Sequence, residues 1–195
     1  MGKSPPPLRV ENRRRRVREH LTPQEAADLI DAARHTGRHG VRDGALLLVM
    51  YRHGLRVSET VGLRWEQVDF TGATLHVTRC KRGTPATHPI AGDELRALRQ
   101  LQREQPTGSA FVFMSERGAP LTTATVRKIV ARAGELAGIL MPVHPHMLRH
   151  STGFYLANAG QDTRLIQAYL GHKNIQHTVR YTELAPGRFR GLWKN

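Results

Sequence analysis

The 195-residue chain has one cysteine, Cys80. A lone thiol excludes an internal disulfide and a cysteine-rich zinc site, and it fits a reducing cytoplasm. Long apolar runs are also missing: the longest, Ala45 to Met50, is far too short to span a bilayer. No apolar stretch follows Pro5, Pro6 and Pro7, so no secretory signal is read. There is no G-x-x-x-x-G-K-[ST] loop, and hence no sign of a P-loop nucleotide site; no cofactor is assigned. Acidic residues are scarce, with 16 Asp+Glu against 30 Lys+Arg.

That shortage leaves a net charge of +14, a field that attracts polyanions, and nucleic acid is the usual one. Most of the basic residues are arginines, whose planar forks suit phosphate oxygens. An apolar fraction of 39% is that of a folded domain rather than a disordered chain. Residues 1–20 read as a disordered basic arm, either a solvated tail or a nucleic-acid arm with Arg13, Arg14, Arg15 and Arg16 as its contacts.

Order is expected to begin at Thr22-Pro23-Gln24-Glu25, a capping box with proline at the first helical position. The pattern predicts a helix from there to about Arg34 and a second over Val41 to Arg52, stopped by Gly54. A short helix should follow Ser58. Val68 to Phe70, Thr74 to Arg79 and Thr87 to Ile90 read as a small antiparallel sheet turning at Gly72. Helical patterns return over Asp93–Gln105, Thr122–Ala137, Pro145–Asn158 and Thr163–Leu170. The fold class expected is mainly α with one small antiparallel β-sheet. No internal repeat is present.

Taken singly, the polar residues point nowhere in particular. His144, His146 and His150 raise a metal site, but no cysteine cluster or nearby carboxylate supports one, and no metal is assigned. As a set they match a family. Gly54-Leu55-Arg56-Val57-Ser58-Glu59, His146-Met147-Leu148-Arg149-His150, and Leu170-Gly171-His172 followed by Tyr181 resemble, in order and spacing, the boxes of the tyrosine recombinase (lambda integrase) family. Lys81 lies between the second and third predicted strands, where that family keeps a lysine. Thr87-His88-Pro89, His144 to Ser151, Thr163 to Gln167 and Gly187 to Trp193 resemble the small fimbrial phase-variation recombinases, which are little more than a catalytic domain. The resemblance implies a catalytic-domain fold over residues 21–195.

It also implies a reaction: transesterification of a DNA phosphodiester through a 3′-phosphotyrosine link. Tyr181 is implied as nucleophile, Arg56 and Arg149 as a clamp on the phosphate, and His146 as general base. His172 is implied as a donor to the phosphate and Lys81 as general acid. Glu59 is expected to orient the basic side chains, and Arg82 to contact DNA. His88 and His150 are read as structural or DNA-contacting, and Tyr155 and Tyr169 as core residues. The expected partner is double-stranded DNA with specific recombination sites, bound by a tetramer when two sites are synapsed and by a monomer when free, with accessory DNA-bending proteins. The expected location is the bacterial cytoplasm, at the nucleoid. Three other readings remain open from sequence: a DNA-binding regulator with the same fold, a type IB topoisomerase-like relaxing enzyme, and a metal nuclease built on the histidines.

Overall fold

The computed structural model describes residues 18–79, 84–106, 108–183 and 185. Lys81, Arg82, Cys80, Arg13 to Arg16 and the tail after 185 lie outside the described residues.

Helix α1 (Pro23–His35) starts on the capping box expected of it: Thr22 Oγ1 accepts from Glu25 N at 3.2 Å, and Glu25 Oε2 accepts from Thr22 N at 2.7 Å. Helix α2 (Gly40–His53) is apolar nearly all round, with Ala45 to Met50 wholly buried. Such a helix has to be covered on most sides. It is covered by α1, by α4 (Gly92–Glu104) and by α6 (Pro145–Asn158). Each buried leucine in this stack contributes about 1.5–3 kcal/mol. Helix α3 (Val57–Val61) is short, and α5 (Thr123–Leu136) closes against α1. Among the described residues no helix is long and apolar enough to cross a membrane.

The sheet has three antiparallel strands in the order β1 (Val68–Asp69), β2 (Thr74–Val77), β3 (Ala86–Pro89). Val68 faces Leu75, and Leu75 faces His88. The turn between β1 and β2 is held by Asp69 Oδ1, which accepts from Thr71 N and Gly72 N at 2.9 Å each. The strands are shorter than expected. Phe70 falls in the turn, and Arg79 lies two residues beyond the end of β2 with its side chain folded into the protein.

Helix α7 (Thr163–Leu170) matches its expected bounds, and Asp162 caps it by accepting from Arg164 N at 2.8 Å. The last described helix, α8 (Gln176–Glu183), has no counterpart in the sequence reading. Its Gln-His-Thr-Val-Arg-Tyr-Thr-Glu sequence is poor in strong helix formers. Packing against α6 and α7 supplies what propensity does not. Helices α6, α7 and α8 enclose a second, smaller apolar cluster of Ala157, Ile166, Leu170, Tyr181 and Ala185. Tyr155 was expected in the core and is 52% exposed. It shares the α6 face of Leu148 and Thr152 but lies further along it, on the wall of an open groove beside Tyr51 and Arg52.

Candidate active site

Two helix ends build the site. Gly54 ends α2 and Gly171 ends α7, both in the left-handed conformation, at φ 57° and 63°. Both are also tightly enclosed: a Cβ on Gly54 would lie 2.5 Å from Leu170 Cδ2, and one on Gly171 would lie 2.7 Å from Arg79 Cγ. The two ends therefore pack against each other, and each leads straight into a site residue, Arg56 after Gly54 and His172 after Gly171.

Arg149 comes up from α6 between these ends. Its guanidinium donates to Gly54 O at 2.5 Å and to Leu170 O at 2.6 Å, and the residue is 1% exposed. A buried cation is tolerated only where acceptors replace its water, and the free carbonyls of two helix C-termini do so. Burial, then the Arg56 and Arg79 charges, push Arg149 down to about 9, so it remains charged at neutral pH. Arg56 is more open, with 26% of its side chain exposed. Its Nη1 donates to Glu59 Oε1 at 2.7 Å. Glu59 Oε2 accepts from Arg56 N at 2.9 Å and from Arg79 Nη1 at 3.0 Å. Burial works to raise the Glu59 pKa, but the Arg56 amide and the Arg79 and Arg56 charges outweigh it and hold the carboxylate below its ordinary range. Glu59 is thus hydrogen-bonded to two basic side chains at once, Arg56 and Arg79.

Tyr181 projects from α8 into the same region and is 1% exposed. Its hydroxyl and His150 Nδ1 are hydrogen-bonded at 2.8 Å. His150, read from sequence as structural or DNA-contacting, is thus hydrogen-bonded to the tyrosine oxygen. His146 stands next to it, with ring centroids 4.3 Å apart in an edge-on arrangement. Burial pushes the Tyr181 phenol up, and Arg180 and Arg149 pull it the other way. His172 lies 6.3 Å from the Tyr181 ring, nearly parallel to it, and its Nδ1 pairs with Thr178 Oγ1 at 2.8 Å. That partner leaves Nε2 as the ring nitrogen available to a phosphate. Loss of water, then neighbouring positive charge led by Arg149, brings His146 to about 4 and His172 to about 3. Both rings are neutral at pH 7 before any phosphate arrives. A neutral imidazole accepts a proton, as a general base must.

Arg56, His172, Arg164, Lys173 and His177 line an open cleft of about 650 Å³. A larger groove of about 810 Å³ runs beside α1 and α4, but Asp28, Asp31, Asp93 and Glu94 give it the wrong sign for a phosphate backbone. Among the described residues no group of three or more His, Cys, Asp or Glu is arranged to hold a metal. Arg56, Glu59, His146, Arg149, His172 and Tyr181 are brought together. Lys81 and Arg82 belong to the connection between the paired strands β2 and β3, outside the described residues. Arg79 was missed by the sequence reading. It looked like the end of a strand, and its only sequence signal was a charge where a buried strand should close.

A helical domain with one small sheet, wrapped around a buried arginine and an inward-pointing tyrosine, is the architecture of the tyrosine-type site-specific DNA recombinases. The sequence agrees: the model of the phage integrase family matches residues 19–188, and the chain belongs to that family. It is 43% identical over 180 residues to the type 1 fimbriae regulatory protein FimB of Escherichia coli K12, covering 90% of each chain. It is 40% identical over 182 residues to FimE of the same strain, covering 91% of each. Among solved structures, XerA recombinase superposes with a TM-score of 0.76 at 29% identity, over 89% of this chain and 63% of that one. A lambda integrase dimer bound to a core site shares the fold, with a TM-score of 0.65 at 21% identity, over 81% of this chain and 59% of that one.

Proposed function

We propose that this recombinase cuts and rejoins double-stranded DNA at specific sites and inverts the segment between them. Tyr181 Oη attacks the scissile phosphorus as the P–O5′ bond breaks, leaving a 3′-phosphotyrosine ester and a free 5′-oxygen. Once Tyr181 has left its bond to His150, the phenol proton passes to the adjacent His146, and Lys81 protonates the leaving oxygen. Arg56 and Arg149 hold the non-bridging oxygens, and His172 donates to one of them. Glu59 keeps Arg56 aimed. In the second half, a 5′-hydroxyl from the partner duplex attacks the ester and the protons return. The bond energy is kept in the ester, so no nucleotide is consumed. The guanidinium clamp supplies the charge that a metal would otherwise bring, so none is assigned.

The observation that carries this reading is the Arg149 fork. It is buried between two helix ends whose next residues lead to Arg56 and His172, with Tyr181 alongside. Near full-length likeness to two fimbrial regulatory proteins supports inversion over integration. The proposed assembly is a tetramer on two synapsed sites and a monomer when free, with DNA-bending accessory proteins. Residues 1–20 act as a basic arm in which Arg13, Arg14, Arg15 and Arg16 contact phosphate or the minor groove, and Arg82 adds a backbone contact. The work takes place on the nucleoid in the cytoplasm, and residues 21–195 form the catalytic domain. The test is a supercoiled plasmid carrying candidate inverted repeats from the DNA around this protein's own coding region. Junction sequencing should show the segment in both orientations. Relaxed plasmid with no exchanged junctions would mean a topoisomerase, and bound but unaltered plasmid would mean a regulator.

A further inference from the structure

Among the described residues Arg79 is the most deeply placed cation near the site after Arg149, and the chemistry above gives it no role. Its side chain is 0% exposed, so it cannot touch a phosphate. Nη1 donates to Glu59 Oε2 at 3.0 Å, and Nη2 donates to His53 O at 3.3 Å and to Tyr169 O. Arg149 takes the next carbonyl along at each of the same two places, Gly54 O and Leu170 O. Two guanidinium groups thus bridge the C-terminus of α2 to the C-terminus of α7, one residue apart. Gly171 lies against the Arg79 stem with no room for a Cβ, so the stem also sets how closely α7 approaches.

A buried charge with this many partners is costly unless every contact is used. Arg79 reaches Arg56 through one shared carboxylate, because Glu59 accepts from both. It reaches His172 through the helix end that precedes it. We propose that Arg79 is a positioning residue for strand cleavage: it fixes Arg56 through Glu59, and the α2 and α7 ends relative to each other, so that Arg56 and His172 meet the same phosphate. This rests on the assignment of those two residues to the phosphate.

The test uses Arg79→Lys, which keeps the charge but offers a compact ammonium that cannot span three acceptors. Covalent adduct formation is measured in single turnover on a nicked cognate duplex. A second duplex carries a methylphosphonate at the scissile position, which removes one charged oxygen and with it part of the need for a well-aimed Arg56. Wild type must form the adduct on the ordinary duplex, and its failure there would sink the recombinase chemistry rather than the role of Arg79. Given that, Arg79→Lys should bind the duplex within about 3-fold of wild type yet form adduct on the order of 100-fold more slowly. The ratio of wild type to variant should shrink by about 10-fold on the methylphosphonate. An equal defect on both duplexes, a defect that merely tracks lost binding, or no defect would each overturn the proposal. If Arg79→Lys does not melt cooperatively, Arg79→Gln, which keeps two donors, is read the same way. Failure of both to fold would make Arg79 a core residue only, and would overturn it as well.

Discussion

The hydroxyl of Tyr181 is hydrogen-bonded to Nδ1 of His150 at 2.8 Å, from a ring that is 1% exposed. The bond ties the last described helix to the helix that carries His146 and Arg149. The position of Tyr181 is therefore set by α6 as much as by its own helix, and as the proposed nucleophile it would exchange this partner for a phosphorus during reaction.

The face of α6 under the tyrosine is Gly153. A Cβ there would meet the Tyr181 ring at 2.6 Å and 2.7 Å. A buried ring cannot step aside as a flexible chain end would. Gly153→Ala should therefore cost about 1–3 kcal/mol of stability by overpacking. It should also slow adduct formation by at least about 10-fold, because the oxygen moves with the ring. Thermal melting and single-turnover trapping measure the two effects, and an unchanged rate would show that the ring has room the structure denies it.

Stability should depend on pH through buried histidines. Burial first, then neighbouring His53 and Arg79, bring His88 down to about 3, and burial with His146 and Arg180 brings His150 to about 2. An unfolded histidine titrates near about 6.5. Between these values the unfolded chain binds more protons than the folded one, so stability is full above about pH 6.5 and falls as the pH drops toward the folded values. The melting temperature should decline steadily from about pH 7 to about pH 4.5, and a folded His88→Gln variant should show a shallower decline. A flat profile for the native protein would mean that these rings are already protonated or solvated when folded.

Lys81 is assigned to the leaving oxygen. Lys81→Ala should slow cleavage of an ordinary duplex by about 100-fold or more. A duplex whose 5′-leaving atom is sulfur needs far less protonation, and there the variant should recover most of the wild-type rate. Equal losses on both duplexes would move the acid to Arg82 or to a histidine.

The arginine clamp and the histidine-metal reading make opposite demands on chelators. With Arg56 and Arg149 supplying the charge, cleavage in excess EDTA should match cleavage without it. Loss in EDTA with recovery on added magnesium or zinc would point to a metal nuclease.

Much of this was legible in the residues. The Thr22 capping box, the Gly54 stop and the apolar stretch of α2 located helix positions to within a residue or two, because each is a local signal with a local cause. The box residues Arg56, His146, Arg149, His172 and Tyr181 were legible as a set. Helix α8 was not, since a run of His, Thr and Val has no strong helical period. Its one start signal was Asn174, whose Oδ1 accepts from Gln176 N at 2.9 Å. Arg79 and the His150–Tyr181 bond were also hidden. Both depend on chain segments 20 or more residues apart, and no spacing rule reports such a meeting. His150 differs from His146 by one helical turn, and only the placement of α8 shows which of them touches the hydroxyl.

The most direct measurement is covalent trapping on a nicked cognate duplex, comparing the native protein with Tyr181→Phe. The substitution removes one oxygen and leaves the ring that fills the α6–α8 cluster, so folding and DNA binding should persist. The native protein should give a denaturation-resistant protein–DNA adduct whose proteolytic fragment carries the nucleotide on Tyr181, and Tyr181→Phe should give none. An adduct of undiminished yield from Tyr181→Phe, or one mapped to another residue in the native protein, would contradict Tyr181 as the nucleophile.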